Sequence, residues 1–221
     1  MEFDPGYLAR QLPALWRGLL VTVGVSLVGM ALSLTLGALG AVARHGRVPV
    51  LSPLIAGYVE LVRNTPLLVQ IFFLFYGLPA LGLTLSTFWS GALALTLWAA
   101  AFQVENMRGA LATVPHGLLD AAAALGLRRN AALRLVALPV ALRAGLPPVL
   151  NTCVSLLKNS AYLQAIGLAE LTYVAVDRIA ADFRTLEMFT VLLVVYLGLV
   201  LLLSLAAGRI EARLSRPYAA G

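Results

Sequence analysis

Residues 19–42 form an apolar run without a charged side chain, near the start of the chain. A helix crosses the hydrocarbon core of a bilayer with about 20 such residues. The run is too long for the core of a cleavable signal peptide and follows the acidic residues Glu2 and Asp4, so we expect it to be a spanning helix. In the whole chain 61% of the residues are hydrophobic and 12% are charged, which excludes an ordinary water-soluble protein.

Four more segments are apolar enough to span a membrane. The sequence therefore predicts an all-α integral membrane protein, with about five transmembrane helices in one domain covering residues 1–221. The predicted spans are residues 19–42, 50–75, 85–104, 147–165 and 188–207. The stretch 107–139 is too rich in arginine for lipid, and its alanine-rich pieces predict short helices. Residues 7–17 are expected on the outer membrane surface, and residues 168–187 are expected to be a loop.

The distribution of arginine predicts the orientation of the chain, because cytoplasmic loops of membrane proteins carry an excess of lysine and arginine. Most arginines fall in segments that share one side of a five-span protein: Arg44, Arg47, Arg108, Arg128, Arg129, Arg134, Arg143, Arg209, Arg213 and Arg216. The acidic residues of the other side are Glu2, Asp4, Glu170, Asp177, Asp182 and Glu187. We therefore expect a multi-pass membrane protein with its N-terminus outside and its C-terminus in the cytoplasm. The net charge of +6 reflects this asymmetry and does not indicate nucleic acid as a partner.

The most informative pattern lies between the third and fourth predicted spans. It consists of Asp120, Ala121 and Ala122, then Gly126, then Val136, Leu138 and Pro139. Alanines allow a short helix to pack closely against a partner, and a glycine such as Gly126 ends a helix in the left-handed conformation. Taken alone, the pattern also fits an ordinary alanine-rich amphipathic helix with a glycine cap.

This pattern resembles the EAA signature of the membrane subunits of binding-protein-dependent ABC importers, with Asp120 in place of the usual glutamate. Further segments, in the same order, resemble permeases for polar amino acids: residues 18–26, 58–70, 105–109 and 157–171. Asn64 stands where those permeases usually have glycine. By this resemblance the chain is identified as a permease subunit of a polar amino acid importer, for which the type I importer architecture and a place in a bacterial inner membrane are expected.

The resemblance also implies the partners of the chain. A cytoplasmic coupling helix is expected to dock on ATP-binding cassette ATPase subunits through Asp120, Ala121, Ala122, Gly126, Leu138 and Pro139. ATP and magnesium are expected on those ATPases, which drive alternating access, and no cofactor is expected on this chain. A second permease chain, identical or paralogous, and an extracytoplasmic amino-acid-binding protein complete the implied complex. Candidates for docking that protein, if they are not simply a solvated loop, are Asp177, Arg178, Asp182 and Arg184.

Arg63 lies roughly 20 Å along the second predicted span, a depth at which a cation needs a partner. Glu60 lies three residues earlier on the same helical face, so the two are expected to form a structural ion pair. The alternative is that Arg63 binds a carboxylate of the substrate. Pro66 leaves the carbonyl near Val62 without its helical donor, so this face is expected to line protein or a water-filled path.

Polar side chains in the second and fourth predicted spans are candidates for the substrate pathway. Thr65 and Gln70 follow Arg63, whereas Thr152, Ser155 and Asn159 are spaced by three and four residues and share one helical face. Hydrogen bonding between helices is the alternative for both sets. Many permeases of the family have aspartate where this chain has Asn159. The absence of an acid favours an acidic amino acid, such as glutamate or aspartate, or a neutral polar one.

The sequence does not predict an enzyme. It contains no glycine-rich loop that ends in Gly-Lys-Ser or Gly-Lys-Thr for binding ATP. Cys153, His45 and His116 are too few for a cysteine or histidine metal cluster. The alternative function is an ATP-independent channel or secondary carrier, but such carriers usually need intramembrane acids, and Glu60 is the clear candidate here.

Overall fold

The computed structural model describes residues 3–215, except the side chains of residues 129, 214 and 215, and all the elements it describes are helices. The α-helices are α1 Pro5–His45, α2 Leu51–Arg63, α3 Leu67–Ala80, α4 Thr87–Ala112, α5 His116–Ala124, α6 Arg129–Ala132, α7 Leu138–Asn159, α8 Leu171–Asp182 and α9 Thr185–Ser215. A π-helical turn, Leu133–Ala137, joins α6 to α7, and a 3-10 helix, Ser160–Ile166, follows α7. The charge markers Glu2 and Arg216 lie outside the described residues.

The number of spans agrees with the prediction of about five. Within residues 3–215, four helical segments are long and apolar enough to cross a membrane: Pro5–His45, Thr87–Ala112, Asn130–Ile166 and Thr185–Arg213. The pair α2 and α3 supplies the fifth if the two helices count as one span.

The second predicted span is not straight, because the helix axis bends by 109° between α2 and α3. Pro66 has no N–H to continue a helix, and its ring disfavours the helical conformation of the residue before it. Pro66 instead adopts an extended conformation and begins α3. Residues 50–75, predicted as one span, are therefore two helices with a bend between them.

Several helices extend beyond the predicted spans, through charged residues that a hydropathy profile treats as ends. Residues 7–17 prolong α1 and do not form a separate surface helix. The fourth predicted span, residues 147–165, lies within a longer helical segment that begins at Asn130. Its π-helical turn, in which Leu138 N–H donates to the carbonyl of Leu133, makes room for Pro139 inside the helix.

The segment expected to be a loop, residues 168–187, contains the helix α8. The Glu170 side chain accepts hydrogen bonds from the first N–H groups of α8 and so caps its start. Leu171 and Ala175 of α8 are buried against α1 and against Met188 of α9. The end of the bundle where α8 packs is called the α8 end below, and the opposite end, where α5 packs against α6 and the π-helical turn, is called the α5 end.

Close packing of α1 against α4 dominates the bundle. The face of α1 that is buried repeats small residues at helical spacing: Gly18, Thr22, Ser26, Gly29, Ser33, Gly37 and Gly40. A Cβ atom at Gly37 would lie 2.4 Å from the Cβ atom of Gln103, and one at Gly40 would lie 2.6 Å from a methyl group of Val104. Small residues let spanning helices approach closely, and this repeat was not part of the sequence-based prediction.

Candidate functional site

The predicted coupling segment, residues 107–139, runs from the end of α4 to the start of α7 and contains α5, which Gly126 ends as expected. Gly126 has a φ of +77°, which confirms the predicted left-handed conformation. Gly126 N–H donates to the carbonyl of Ala123, and Leu127 N–H donates to the carbonyl of Ala122, at 2.9 and 3.0 Å. These two bonds together form a Schellman motif, which satisfies the carbonyls at the end of the helix.

The residues of the EAA pattern divide between two surfaces. Asp120 and Ala121 are exposed on α5, whereas Ala122 is buried against the bundle. Leu125, directly after α5, exposes 82% of its surface at the α5 end. Leu138 and Pro139 do not belong to α5 but lie in the first turn of α7. A small apolar cluster joins the two parts: Val114, Ala137, Ala141, Leu111, Leu119 and Val140.

On the coupling role that the resemblance implies, Gly126→Val is expected to reduce uptake at least about tenfold while leaving the amount of protein in the membrane unchanged. A side chain at a positive φ costs about 1–2 kcal/mol, and a β-branched one is strained most. A Cβ atom at Gly126 meets no atom within 4 Å, so the conformation of the turn alone is tested. Transport assays in vesicles, normalised to the amount of permease, measure the effect. Gly126→Asn is the control because asparagine tolerates the left-handed region, and equal uptake by both variants would contradict the prediction.

The break between α2 and α3 is closed by three side chains that bind the last carbonyls of α2. Gln70 Nε2 donates to the carbonyl of Val62 at 2.8 Å, which is the carbonyl that Pro66 leaves without a donor. The Thr65 hydroxyl donates to the carbonyl of Leu61 at 2.9 Å, and Asn64 Nδ2 donates to the carbonyl of Glu60 at 2.8 Å. Gln70 also donates to Thr65 Oγ1 at 2.7 Å. Thr65 and Gln70, predicted as pathway residues, thus hold the bend in place.

The predicted ion pair between Glu60 and Arg63 is wrong. Glu60 accepts a hydrogen bond from Asn64 Nδ2 at 3.1 Å. The Arg63 guanidinium lies 5.3 Å from the centre of the Phe102 ring of α4, a cation–π contact. Both side chains of the predicted pair thus have other neighbours at the bend. In the part of the chain that the structure describes, no carboxylate lies within 4.0 Å of Arg63.

The predicted polar stripe on α7 is partly used for helix packing. Thr152 is buried, and its hydroxyl accepts a hydrogen bond from Asn106 Nδ2 of α4 at 2.9 Å. Asn106 also donates to the carbonyl of Pro148 at 3.1 Å. Ser155 and Asn159 are half-buried, and no hydrogen bond from either side chain is found among residues 3–215. These two are therefore the residues of the stripe whose polar atoms are left for a ligand.

The sequence analysis did not predict a charged cluster on α4. Its residues on α4 belong to segment 105–109, which resembles the permeases. The Glu105 carboxylate pairs with Arg44 at the end of α1. It also accepts two hydrogen bonds on Oε2 from Arg108, one helical turn later, at 2.7 and 3.1 Å. The three side chains lie between the bend at Arg63 and the start of α5, and spacing along one helix could not reveal the contact with α1.

Glu170, at the α8 end, is fully buried and was noted in the sequence only as a charge. Its carboxylate accepts hydrogen bonds from Tyr173 N–H at 2.7 Å, Thr172 N–H at 2.9 Å and the Tyr196 hydroxyl at 3.1 Å. The Thr22 hydroxyl of α1 lies 3.4 Å from the same carboxylate and accepts from Leu171 N–H. Burial raises the pKa of the Glu170 carboxyl above its usual range, while these hydrogen bonds oppose the shift.

The charges proposed for docking a binding protein are partly engaged inside the chain. Asp182 accepts a hydrogen bond from the Tyr7 hydroxyl at 2.6 Å. Arg184 pairs with Glu187 at 3.2 Å and lies over the Tyr7 ring. Asp177 and Arg178 pair with each other at 3.4 Å on the exposed face of α8. Among the charges proposed for docking, the side chain of Asp177 is 52% exposed, and those of Arg184 and Arg178 are 41% and 36% exposed.

Comparison with known proteins places this geometry in a family. The model of the family "Binding-protein-dependent transport system inner membrane component" matches residues 33–216. The probable glutamine ABC transporter permease of Bacillus subtilis is 36% identical, over 96% of this chain and 99% of the relative. The glutamine transport system permease of Escherichia coli K12 is 33% identical, over 97% and 99%. A solved amino acid ABC transporter with histidines superposes with a TM-score of 0.88 at 27% identity, over 96% and 100%.

Proposed function

The chain belongs to the family of binding-protein-dependent transport system inner membrane components, and on this premise we propose that it carries a neutral polar amino acid of the glutamine type. It is the permease subunit of an amino acid ABC importer and is not an enzyme by itself. The sequence favoured either an acidic or a neutral polar substrate. The relatives that are named for glutamine support the neutral class.

The substrate proposal depends on the fact that Arg63 has no carboxylate partner among the described residues. Its guanidinium lies over Phe102. An arginine binds a carboxylate through two parallel hydrogen bonds, so Arg63 is suited to the α-carboxylate of an amino acid. Ser155 and Asn159 offer uncharged donors and acceptors, which suit an amide side chain better than an ammonium group.

The proposed pathway runs from Asn159 and Ser155 past Thr152 to Arg63, with Thr65 and Gln70 fixing the bend that presents Arg63. Thr152 contacts Asn106, which lies one helical turn after the Phe102 ring beneath Arg63. These residues therefore follow one another along the α4 and α7 side of the bend. A single chain of about five spans does not enclose a complete path, so a second permease chain, identical or paralogous, forms the other wall.

The partners in this proposal divide between the two ends of the bundle. ATP-binding cassette ATPases, which bind ATP and magnesium, dock on the exposed face of α5 with Asp120 and Ala121. The binding protein docks at the α8 end, near Asp177 and Arg178. The N-terminus is then outside and the C-terminus is in the cytoplasm of an inner membrane, in agreement with the positions of the arginines.

Affinity purification of the tagged chain from its native membrane tests the proposed complex. We expect mass spectrometry to identify an ATP-binding cassette ATPase. A second permease in the sample would indicate a heterodimer, and its absence would indicate two identical copies. Recovery of the chain alone in mild detergent, with solute flux that needs no ATP, would overturn the proposal in favour of a channel or secondary carrier.

Arg63→Leu is expected to lower glutamine uptake by at least about tenfold in proteoliposomes that contain the whole complex and its binding protein. The loss of one charge-assisted bidentate interaction, about 1.5–3 kcal/mol, accounts for this magnitude. Arg63→Lys keeps the charge but cannot form two parallel hydrogen bonds. Its uptake should therefore lie between that of the unaltered protein and that of Arg63→Leu. Arg209→Gln, which removes an exposed arginine on α9, is the control and should leave uptake unchanged.

Competition with unlabelled amino acids tests the substrate class in the same vesicles. Glutamine is expected to compete strongly, glutamate weakly and arginine least. Strong competition by arginine would contradict the neutral substrate. If Arg63→Leu transports as well as the unaltered protein, Arg63 does not bind the carboxylate.

A further inference from the structure

Glu105, Arg44 and Arg108 form a charged cluster between the coupling helix α5 and the candidate pathway. Glu105 lies in the last third of α4, and 19% of its side chain is exposed. It pairs with Arg44, the second-last residue of α1, and with Arg108 on its own helix. The contact with Arg44 joins two helices, whereas the contact with Arg108 stays within one.

The neighbours of Glu105 on α4 are in contact with the candidate pathway. Phe102, three residues earlier, lies under the Arg63 guanidinium at the end of α2. Asn106, the next residue, donates to Thr152 of α7 at 2.9 Å. One third of α4 thus touches the ends of α1 and α2 and the middle of α7.

The same part of α4 leads directly into α5. α4 ends at Ala112, and only residues 113–115 separate it from α5. Val114 in this link is buried in the cluster with Ala137 and Ala141 of the following helices. A displacement of α5 is therefore passed to α4 without a flexible linker, because the short link is itself packed.

From these contacts we infer that Glu105, through Arg44, clamps the end of α1 to α4, so that α1 moves with the coupling helix when the ATPases close. Glu105 is a positioning residue and does not contact the substrate. Without the clamp, α5 still docks, the ATPases still turn over and α4 still moves, but the end of α1 beyond Gly40 no longer follows α4, so the movement of the bundle is incomplete. A partly buried carboxylate shared by two arginines resists separation better than an exposed single pair. The inference rests on the importer function proposed above.

The test compares Glu105→Gln with the unaltered complex in proteoliposomes that contain the ATPases and the binding protein. We expect ATP hydrolysis to remain within about twofold, while uptake per ATP hydrolysed falls at least about tenfold. Glutamine keeps the size of the side chain but removes its charge, so a change in packing is kept small. Uptake by the unaltered complex reports separately on the proposed function, so a failure of that function is distinguished from a failure of the clamp.

Single replacements of the two arginines separate the clamp from a general need for charge. Arg44→Gln is expected to reproduce the loss of uptake per ATP, because it breaks the contact between α1 and α4. Arg108→Gln removes a contact within α4 and is expected to keep at least about half of the uptake per ATP. Equal losses in both arginine variants would overturn the inference. So would a proportional fall of hydrolysis and uptake with a reduced amount of complex, which indicates a purely structural role.

Discussion

Gly37→Leu is expected to prevent the protein from accumulating as a folded, monodisperse species. A Cβ atom at Gly37 would lie 2.4 Å from the Cβ atom of Gln103 and within 3.4 Å of its backbone. Gln103 cannot move aside, because it is fully buried and donates to the carbonyl of Val149 on α7. Helices α1 and α4 would have to separate along their most extensive contact. Overpacking usually costs about 1–3 kcal/mol, and here three further carbons are added beyond the Cβ atom.

Size-exclusion chromatography of the detergent-solubilised protein, followed by a thermal melt, measures this effect. Gly37→Ala adds only the Cβ atom that clashes with Gln103, and it is expected to lower Tm by at least about 4 °C. This value follows from a shift of about 2–4 °C per kcal/mol for a chain of this size. Gly198→Leu on α9 is the control, because a Cβ atom there meets no atom within 4 Å. If Gly37→Leu yields as much folded protein as Gly198→Leu, the close approach of α1 and α4 is wrong.

The position of this contact explains which parts of the fold could be predicted. Hydropathy identifies the spans, because apolar composition over a long run is a local property of the sequence. The repeat of small residues on α1 is also local, but its meaning depends on the helix it faces. Gly37 and Gln103 are far apart in the sequence, so the repeat alone did not indicate α4 as the partner.

In the candidate site, features that depend on neighbouring residues could be predicted, whereas contacts between distant residues could not. Gly126 was predicted correctly because the left-handed end of a helix depends on neighbouring residues. Pro66 predicted a carbonyl without a donor at Val62, and Gln70, already singled out, supplies that donor. The ion pair of Glu60 with Arg63 failed because spacing defines a shared face but not which competing partner is taken, here Asn64 and Phe102.

The helix α8, which was predicted to be a loop, begins at a buried glutamate. A sequence profile treats charges in this region as signs of a loop, whereas Glu170 starts a helix and is fully buried. Its partners on α1 and α9 are Thr22 and Tyr196, so the contacts that stabilise the helix are not local. A carboxylate with four donors around it can be buried without a cation.

Glu170→Ala is expected to destabilise the protein by about 3 kcal/mol or more. The loss of the cap costs about 0.5–2 kcal/mol, and each buried donor left without an acceptor costs about 1–3 kcal/mol. The donors concerned are Thr172 N–H, Tyr173 N–H and the Tyr196 hydroxyl. A thermal melt in detergent should show a Tm lowered by at least about 6 °C. Asp177→Ala on the same helix, where 52% of the side chain is exposed, is the control and should shift Tm by less than about 2 °C.

The pH dependence of Glu170→Gln tests the raised pKa of this carboxyl. Because burial raises the pKa in the folded state, the folded protein keeps the proton to a higher pH than the unfolded chain, whose value is about 4.3. The contribution of the protonated carboxyl to stability is therefore complete below about pH 4.3 and is lost as the pH rises through the folded-state value. Glutamine does not titrate, so the Tm of the unaltered protein relative to the variant is expected to fall as the pH rises above about 4.3. A Tm difference that grows with pH would mean that the hydrogen-bond donors around Glu170 outweigh its burial.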